Sequence, residues 1–153
     1  MVDELDTIHT LIPHRDPFLW VDRIVSSTDQ TIVTEKTIPE DLQLFQGHYP
    51  DHPIMPGVLL CEAIFQSGAL LMALAAESDE SAGKALPMLT RIGSAKFKRP
   101  IYPGDTVIIF VKLVEKISSV VFFKGTLKIH GKLAVQVDFS CTMNSTTTKE
   151  KNS

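Results

Sequence analysis

The order of segments in this chain predicts an α+β fold in which an antiparallel sheet wraps around one long central helix. Two segments typical of strands come first, a long apolar segment typical of a buried helix follows, and four more strand-like segments come after it. Strands that are grouped before and after a single helix, instead of alternating with helices, favour antiparallel pairing. A length of 153 residues suits one domain, which we place at residues 1–143.

The central helix is predicted at residues 58–76, nearly all of which are apolar. The run is long enough to approach the thickness of a bilayer core, but Glu62 and Gln66 interrupt it and acidic residues follow it, so we expect no membrane span. A helix that is apolar on all sides must be covered on all sides, and one sheet covers only part of it. We therefore expect a second copy to join edge to edge, which predicts a homodimer.

The other elements follow from local composition. A short amphipathic helix is predicted at residues 3–11, because Pro13 then ends it. Runs rich in β-branched and aromatic residues predict strands at residues 18–26, 31–38, 88–98, 106–116, 120–130 and 132–143. Residues 78–83 are polar and predict a loop, and residues 144–153 have no apolar side chain and predict a disordered tail.

The charge balance and the cysteines narrow the function classes. A net charge of −3 gives no case for nucleic acid, and the acidic N-terminus lacks the layout of a secretory signal. Cys61 and Cys141 stand in apolar segments without metal-ligand spacing, which suits a reducing, cytoplasmic setting. Prolines break any helix that would align His48 with His52, so we expect no metal and no cofactor.

The candidate chemistry lies around the start of the central helix. His48 sits in the long connection at residues 39–57, and Glu62 follows it by fourteen residues on the apolar helix. Burying a carboxylate is costly unless it is paired or neutral, and Gln66 lies one turn away on the same face. The amide of Gly57, at the helix start, could polarise a carbonyl oxygen. A base, an acid and an oxyanion site suffice to remove a proton beside a carbonyl and expel a β-hydroxyl.

Each residue also has a purely structural interpretation. His48 could bond neighbouring backbone groups, and Glu62 could be bonded to its own loop. Surface or structural positions are expected for His9, His14 and His130, and a core position for Cys61 rather than a nucleophilic pair with His48.

Three segments carry a resemblance to a known family. The runs FQGHYPDHPIMPGVL at 45–59, LIPHRDPFLWVDR at 11–23 and AKFKRPIYPGD at 95–105 are similar to the 3-hydroxyacyl-(acyl-carrier-protein) dehydratases of type II fatty-acid synthesis. The resemblance implies a hot-dog fold, a dimer or a trimer of dimers, and acyl carrier protein as partner. It further implies that His48 of one subunit works with Glu62 of the other, and that the Gly57 amide holds the thioester carbonyl.

Two alternatives stay open within the same fold. A hot-dog acyl-thioester hydrolase would use a carboxylate-activated water and would not need the loop histidine. A non-catalytic acyl-binding module would be expected to have lost His48 or Glu62, and this chain has both.

A positively charged patch predicts where the acidic carrier protein docks. Lys96 and Lys98 share one face of the predicted strand, Phe97 is expected to face the core, and Arg99 extends the patch. An ordinary solvated strand face is the alternative.

Overall fold

A computed structural model describes residues 4–77 and 85–145. Its elements are α1 (Glu4–Leu11), β1 (Arg23–Ser27), β2 (Thr31–Thr37), a 3-10 turn (Gln43–Gln46), α2 (Gly57–Glu77), β3 (Ala85–Phe97), β4 (Thr106–Ile117), β5 (Val120–Ile129) and β6 (Lys132–Ser145). The six strands form one antiparallel sheet in the order β1-β2-β4-β5-β6-β3. The predicted α+β fold, a sheet around one long helix, is confirmed.

Helix α2 packs against the sheet, mainly against β4, β2 and β5. Alternate residues of the central strands point at it, so that Val107, Ile109 and Val111 of β4 are fully buried. By length and hydropathy α2 could cross a bilayer, but 61% of its most apolar window is buried inside the subunit. It is therefore the core helix of the fold.

The first predicted strand begins later than the composition suggests, at Arg23 instead of residue 18. The reason lies in the hydrogen bonds of Phe18 and Trp20, whose backbone groups bind the side chain of Gln66 and not a neighbouring strand. At the other end, β6 continues to Ser145, two residues beyond the predicted domain boundary. The rest of the tail and the loop predicted at 78–83 lie outside the described residues.

Strand β3 forms one edge of the sheet and is strongly exposed. It pairs with β6 on one side, and Leu89, Ile92 and Phe97 are each about half exposed. The ring of Phe97 lies on the predicted side of the strand, against Gly57 at the start of α2, but its side chain is 54% exposed and is therefore not part of the buried core. A long apolar edge is a ready site for pairing with another strand.

Candidate active site

His48 follows the 3-10 turn and is held by backbone bonds on both sides. Its N–H donates to the Leu44 carbonyl at 2.9 Å, and its own carbonyl accepts the N–H of Ile54 at 3.2 Å. Within the ring, Nδ1 lies 2.9 Å from the Ile54 carbonyl oxygen. Because a carbonyl can only accept, Nδ1 carries the proton of the neutral ring, and Nε2 keeps its lone pair. His48 is thus oriented as a base through Nε2.

Gly57 is the first residue of α2, so its N–H has no acceptor within the helix. The aromatic ring of Phe97 lies directly against it, only 2.8 Å from the position that a Cβ would occupy. Beside this contact is a cavity of about 400 Å³, which Leu60, Lys98 and Arg99 also line. The close approach of the ring explains why glycine stands at this position.

Glu62 lies one and a half turns further along α2 and is partly exposed. Its Oε1 accepts a hydrogen bond from Gln66 Nε2 at 3.1 Å and lies 3.8 Å from His14 Nε2. The three side chains line a cavity of about 110 Å³ whose wall includes Cys141. His48 is not among the described residues that line this cavity. One subunit therefore brings Glu62 together with His14, and not with His48.

Gln66 is only 1% exposed, and its amide makes three bonds. Oε1 accepts the Trp20 N–H at 2.8 Å, and Nε2 donates to the Phe18 carbonyl at 2.8 Å as well as to Glu62. The side chain therefore joins the loop before β1 to the helix that carries the carboxylate. Contact of Gln66 with a substrate stays a prediction, whereas positioning of Glu62 follows from these bonds.

His14 lies beside Glu62 in this cavity, although the sequence predicts a surface or structural position for it. Burial lowers its pKa from 6.5, and Glu62 partly opposes that shift by favouring the charged ring. The contact between His14 and Glu62 could not be predicted from the sequence, because His14 lies in a loop and spacing along the chain does not relate residue 14 to residue 62. The only available signal was that His14 lies in the run at 11–23 that carries the family resemblance.

The two cysteines are buried and carry no disulfide. Burial, with a further contribution from Glu62, raises the pKa of Cys141 to about 11, and burial alone raises the pKa of Cys61. Such thiols are poor nucleophiles at neutral pH, which argues against a Cys61–His48 pair. In the part of the chain that the structure describes, no three histidine, cysteine or acidic side chains are grouped to hold a metal ion.

The predicted docking residues are all exposed, but the strand ends before two of them. Lys96 is in β3 opposite Gln136, whereas Lys98 follows the strand and donates its N–H to the Ala134 carbonyl at 2.7 Å. The Arg99 guanidinium donates to the Leu133 carbonyl at 2.6 Å. Lys98 and Arg99 thus lie at the cavity beside Gly57, and Lys96 lies further along the edge strand.

The family model and the curated relatives that match this sequence point to the same family. A FabA-like domain is matched over residues 12–138. The 3-hydroxyacyl-(acyl-carrier-protein) dehydratase FabZ of Clostridium perfringens is 37% identical over 130 residues, covering 85% of this chain and 91% of the relative. FabZ of Caulobacter vibrioides is 40% identical over 130 residues, covering 84% of this chain and 80% of the relative.

Solved structures agree on the fold. The dehydratase heterocomplex ApeI:P from Xenorhabdus doucetiae superposes with a TM-score of 0.78 at 17% identity, over 91% of each chain. A hypothetical thioesterase with coenzyme A from Streptococcus pneumoniae gives a TM-score of 0.63 at 11% identity, over 80% of this chain and 88% of that one. At these identities the similarity establishes the shared fold and nothing about the reaction.

Proposed function

This chain belongs to the FabA-like family, and we propose that it dehydrates 3-hydroxyacyl-(acyl-carrier-protein) thioesters to trans-2-enoyl thioesters in fatty-acid or related acyl-chain synthesis. The FabZ relatives are named dehydratases, and dehydratases are hydro-lyases, so this chain is a hydro-lyase as well. The observation that carries the assignment to particular residues is the His48 ring, whose Nδ1 is bonded to a carbonyl so that Nε2 is left free to accept a proton.

The proposed step moves one proton at each end of the bond that becomes the double bond. His48 Nε2 takes the proton from C2, and the electron pair of that bond forms the C2=C3 double bond. The C3–O bond breaks, and the hydroxyl leaves as water with a proton from Glu62. The Gly57 amide donates to the thioester oxygen while negative charge develops there. Afterwards the proton on His48 returns through solvent to Glu62.

We further propose that each site is shared between two subunits. The cavity at Glu62 is formed without His48 in one subunit, and the long apolar edge of β3 offers a surface for a second copy. Edge-to-edge pairing at β3 would cover Leu89 and Ile92 and bring a second His48 toward Glu62. The homodimer, its extension to a trimer of dimers, and the cytoplasmic location remain predictions.

The carrier protein is proposed to dock at Lys96, Lys98 and Arg99. All three side chains are exposed, and two of them border the cavity beside Gly57, where the thioester would enter. Acyl carrier proteins are acidic, so local positive charge would steer the encounter despite the negative total of the chain.

Substitution of the two proposed catalytic groups tests the assignment. His48→Ala and Glu62→Gln should each lower the rate of enoyl-thioester formation by roughly 100-fold or more while the melting temperature changes little. The conjugated absorbance of the enoyl product is followed, and free thiol is measured in parallel. Near-normal dehydration by His48→Ala would refute the assignment, and thiol release without enoyl product would identify a hydrolase instead.

Mixed subunits test the shared site. After dissociation and reassociation of His48→Ala with Glu62→Gln, the heterodimer should recover part of the activity, because one of its two sites has both native groups. Heterodimers that form and stay inactive would exclude a site shared in this way.

A further inference from the structure

The two oxygens of the Glu62 carboxyl group have different surroundings. Oε1 accepts the Gln66 amide and faces His14, whereas the structure gives Oε2 no protein partner among residues 4–77 and 85–145. A carboxyl proton is best placed on the oxygen that does not already accept hydrogen bonds. Oε2 is therefore the oxygen that can exchange a proton with a substrate, and Oε1 is the oxygen that the protein holds.

The loop that carries His14 is held at both of its ends. On one side the Arg15 guanidinium donates to the carbonyls of His9, Ile12 and His14, at 2.8, 2.9 and 2.7 Å, and so ties the loop to the end of α1. On the other side Gln66 binds Phe18 and Trp20. The backbone of His14 is thus anchored to both helices, which sets its ring over Glu62.

The burial of the His14 ring determines which nitrogen carries its proton. Nδ1 is buried and has no hydrogen-bond partner among the described residues, so a proton there would be an unsatisfied donor, whereas a proton on Nε2 points toward the acceptor Glu62 Oε1. The neutral ring therefore carries its proton on Nε2, which is the nitrogen that faces Glu62 Oε1. The distance of 3.8 Å is longer than a hydrogen bond, and contacts of this kind shorten when charge develops during the reaction.

From these contacts we propose that His14 is a positioning residue for Glu62, a neutral Nε2–H donor that holds Oε1 together with Gln66. When Oε2 gives its proton to the departing hydroxyl, the negative charge that remains on the carboxylate is stabilised by two N–H groups at Oε1. This inference rests on the proposed role of Glu62 as the acid. It adds a residue that works during the chemical step rather than in substrate binding.

Two substitutions of similar polarity isolate the donor. In His14→Gln the side-chain amide nitrogen reaches about where Nε2 lies, whereas in His14→Asn it reaches only the position of Nδ1. His14→Asn should lower kcat about tenfold with KM within about twofold, because a donor to the developing charge is lost. His14→Gln should keep kcat within about threefold of the native chain. His9→Asn, on α1 and outside the Glu62 cavity, serves as the matched control.

The values of kcat and KM are measured with 3-hydroxybutyryl coenzyme A as substrate, first in the native background and then in the Glu62→Gln background. Melting temperatures are recorded for all variants. In the Glu62→Gln background, His14→Asn should lower kcat by less than about twofold, because its effect acts through the Glu62 carboxylate. An unchanged kcat in His14→Asn, equal losses for Asn and Gln, or an undiminished loss in the Glu62→Gln background would each overturn the inference. If Glu62→Gln itself keeps a native rate, the proposed function fails and not merely the role of His14.

Discussion

Replacing Gln66 with methionine should destabilise the subunit strongly, although the two side chains have similar lengths. Methionine fills the same volume but cannot accept the Trp20 N–H or donate to the Phe18 carbonyl. The backbone N–H of Trp20 is buried, and leaving it unsatisfied would cost about 2 kcal/mol. The Phe18 carbonyl is nearer the surface, and leaving it unsatisfied would cost about 1 kcal/mol. The expected loss is therefore about 3 kcal/mol in the free energy of unfolding.

For a chain of this size that loss corresponds to a decrease of about 6–12 °C in melting temperature. Thermal and urea unfolding are measured at one protein concentration, because association would otherwise change the apparent stability. Gln136→Met, on the exposed face of β6, is the matched control and should change stability by less than about 0.5 kcal/mol.

Enzyme activity gives a second, independent readout of the same substitution. Because Gln66 also donates to Glu62 Oε1, kcat should fall in the fraction that remains folded. If Gln66→Met is no less stable than Gln136→Met, the two backbone groups are satisfied in some other way and the reasoning is wrong.

Other substitutions examine the remaining parts of the site. Gly57→Ala places a methyl group against the Phe97 ring and should lower kcat/KM at least about tenfold, with partial recovery in Gly57→Ala/Phe97→Leu. Exchanging Lys96 and Lys98 for glutamate should raise KM for carrier-protein substrates, mostly at low salt, and leave coenzyme A thioesters nearly unaffected; equal losses on both substrates would contradict docking there. Since burial lowers the pKa of His14 below 6.5, the folded chain binds fewer protons there than the unfolded chain, and stability is lost as pH falls through 6.5. His14→Gln should therefore lose less melting temperature than the native chain between about pH 7.5 and about pH 5.5; an equal loss would contradict this.

The sequence predicted the architecture well because its strongest signals are periodic. The alternation in β4 and the apolar run of α2 correspond directly to buried faces, so the order of elements and the central helix follow from composition. The boundary error at the start of β1 arose because a side chain took the place of a neighbouring strand as hydrogen-bond partner. At Trp20 the amide of Gln66 replaces a neighbouring strand, and no local pattern reports that exchange.

The site was predictable only in part, for a related reason. His48, Gly57 and Glu62 lie within fifteen residues of one another, so their association could be argued from one segment. His14 reaches Glu62 only because Arg15 and Gln66 anchor its loop, a tertiary arrangement that spacing cannot express. Phe97 lies on the side that alternation predicts, against Gly57, but it stays half exposed because the inward face of an edge strand has little of its own subunit to cover it.

The strand order has a consequence for how the chain is made. β3 pairs with β6, the last of the six described strands in chain order, and β4 and β5 also follow α2 in the chain. At usual translation speeds the interval between the end of β3 at Phe97 and the start of β6 at Lys132 is about 2 to 7 seconds, and during it β4 and β5, which cover much of α2, are still being synthesised. The apolar helix must therefore be kept from other nascent chains until these strands have been synthesised. We expect a fragment that ends before β6 to aggregate, because β3 and β5 would both lack the strand with which they pair.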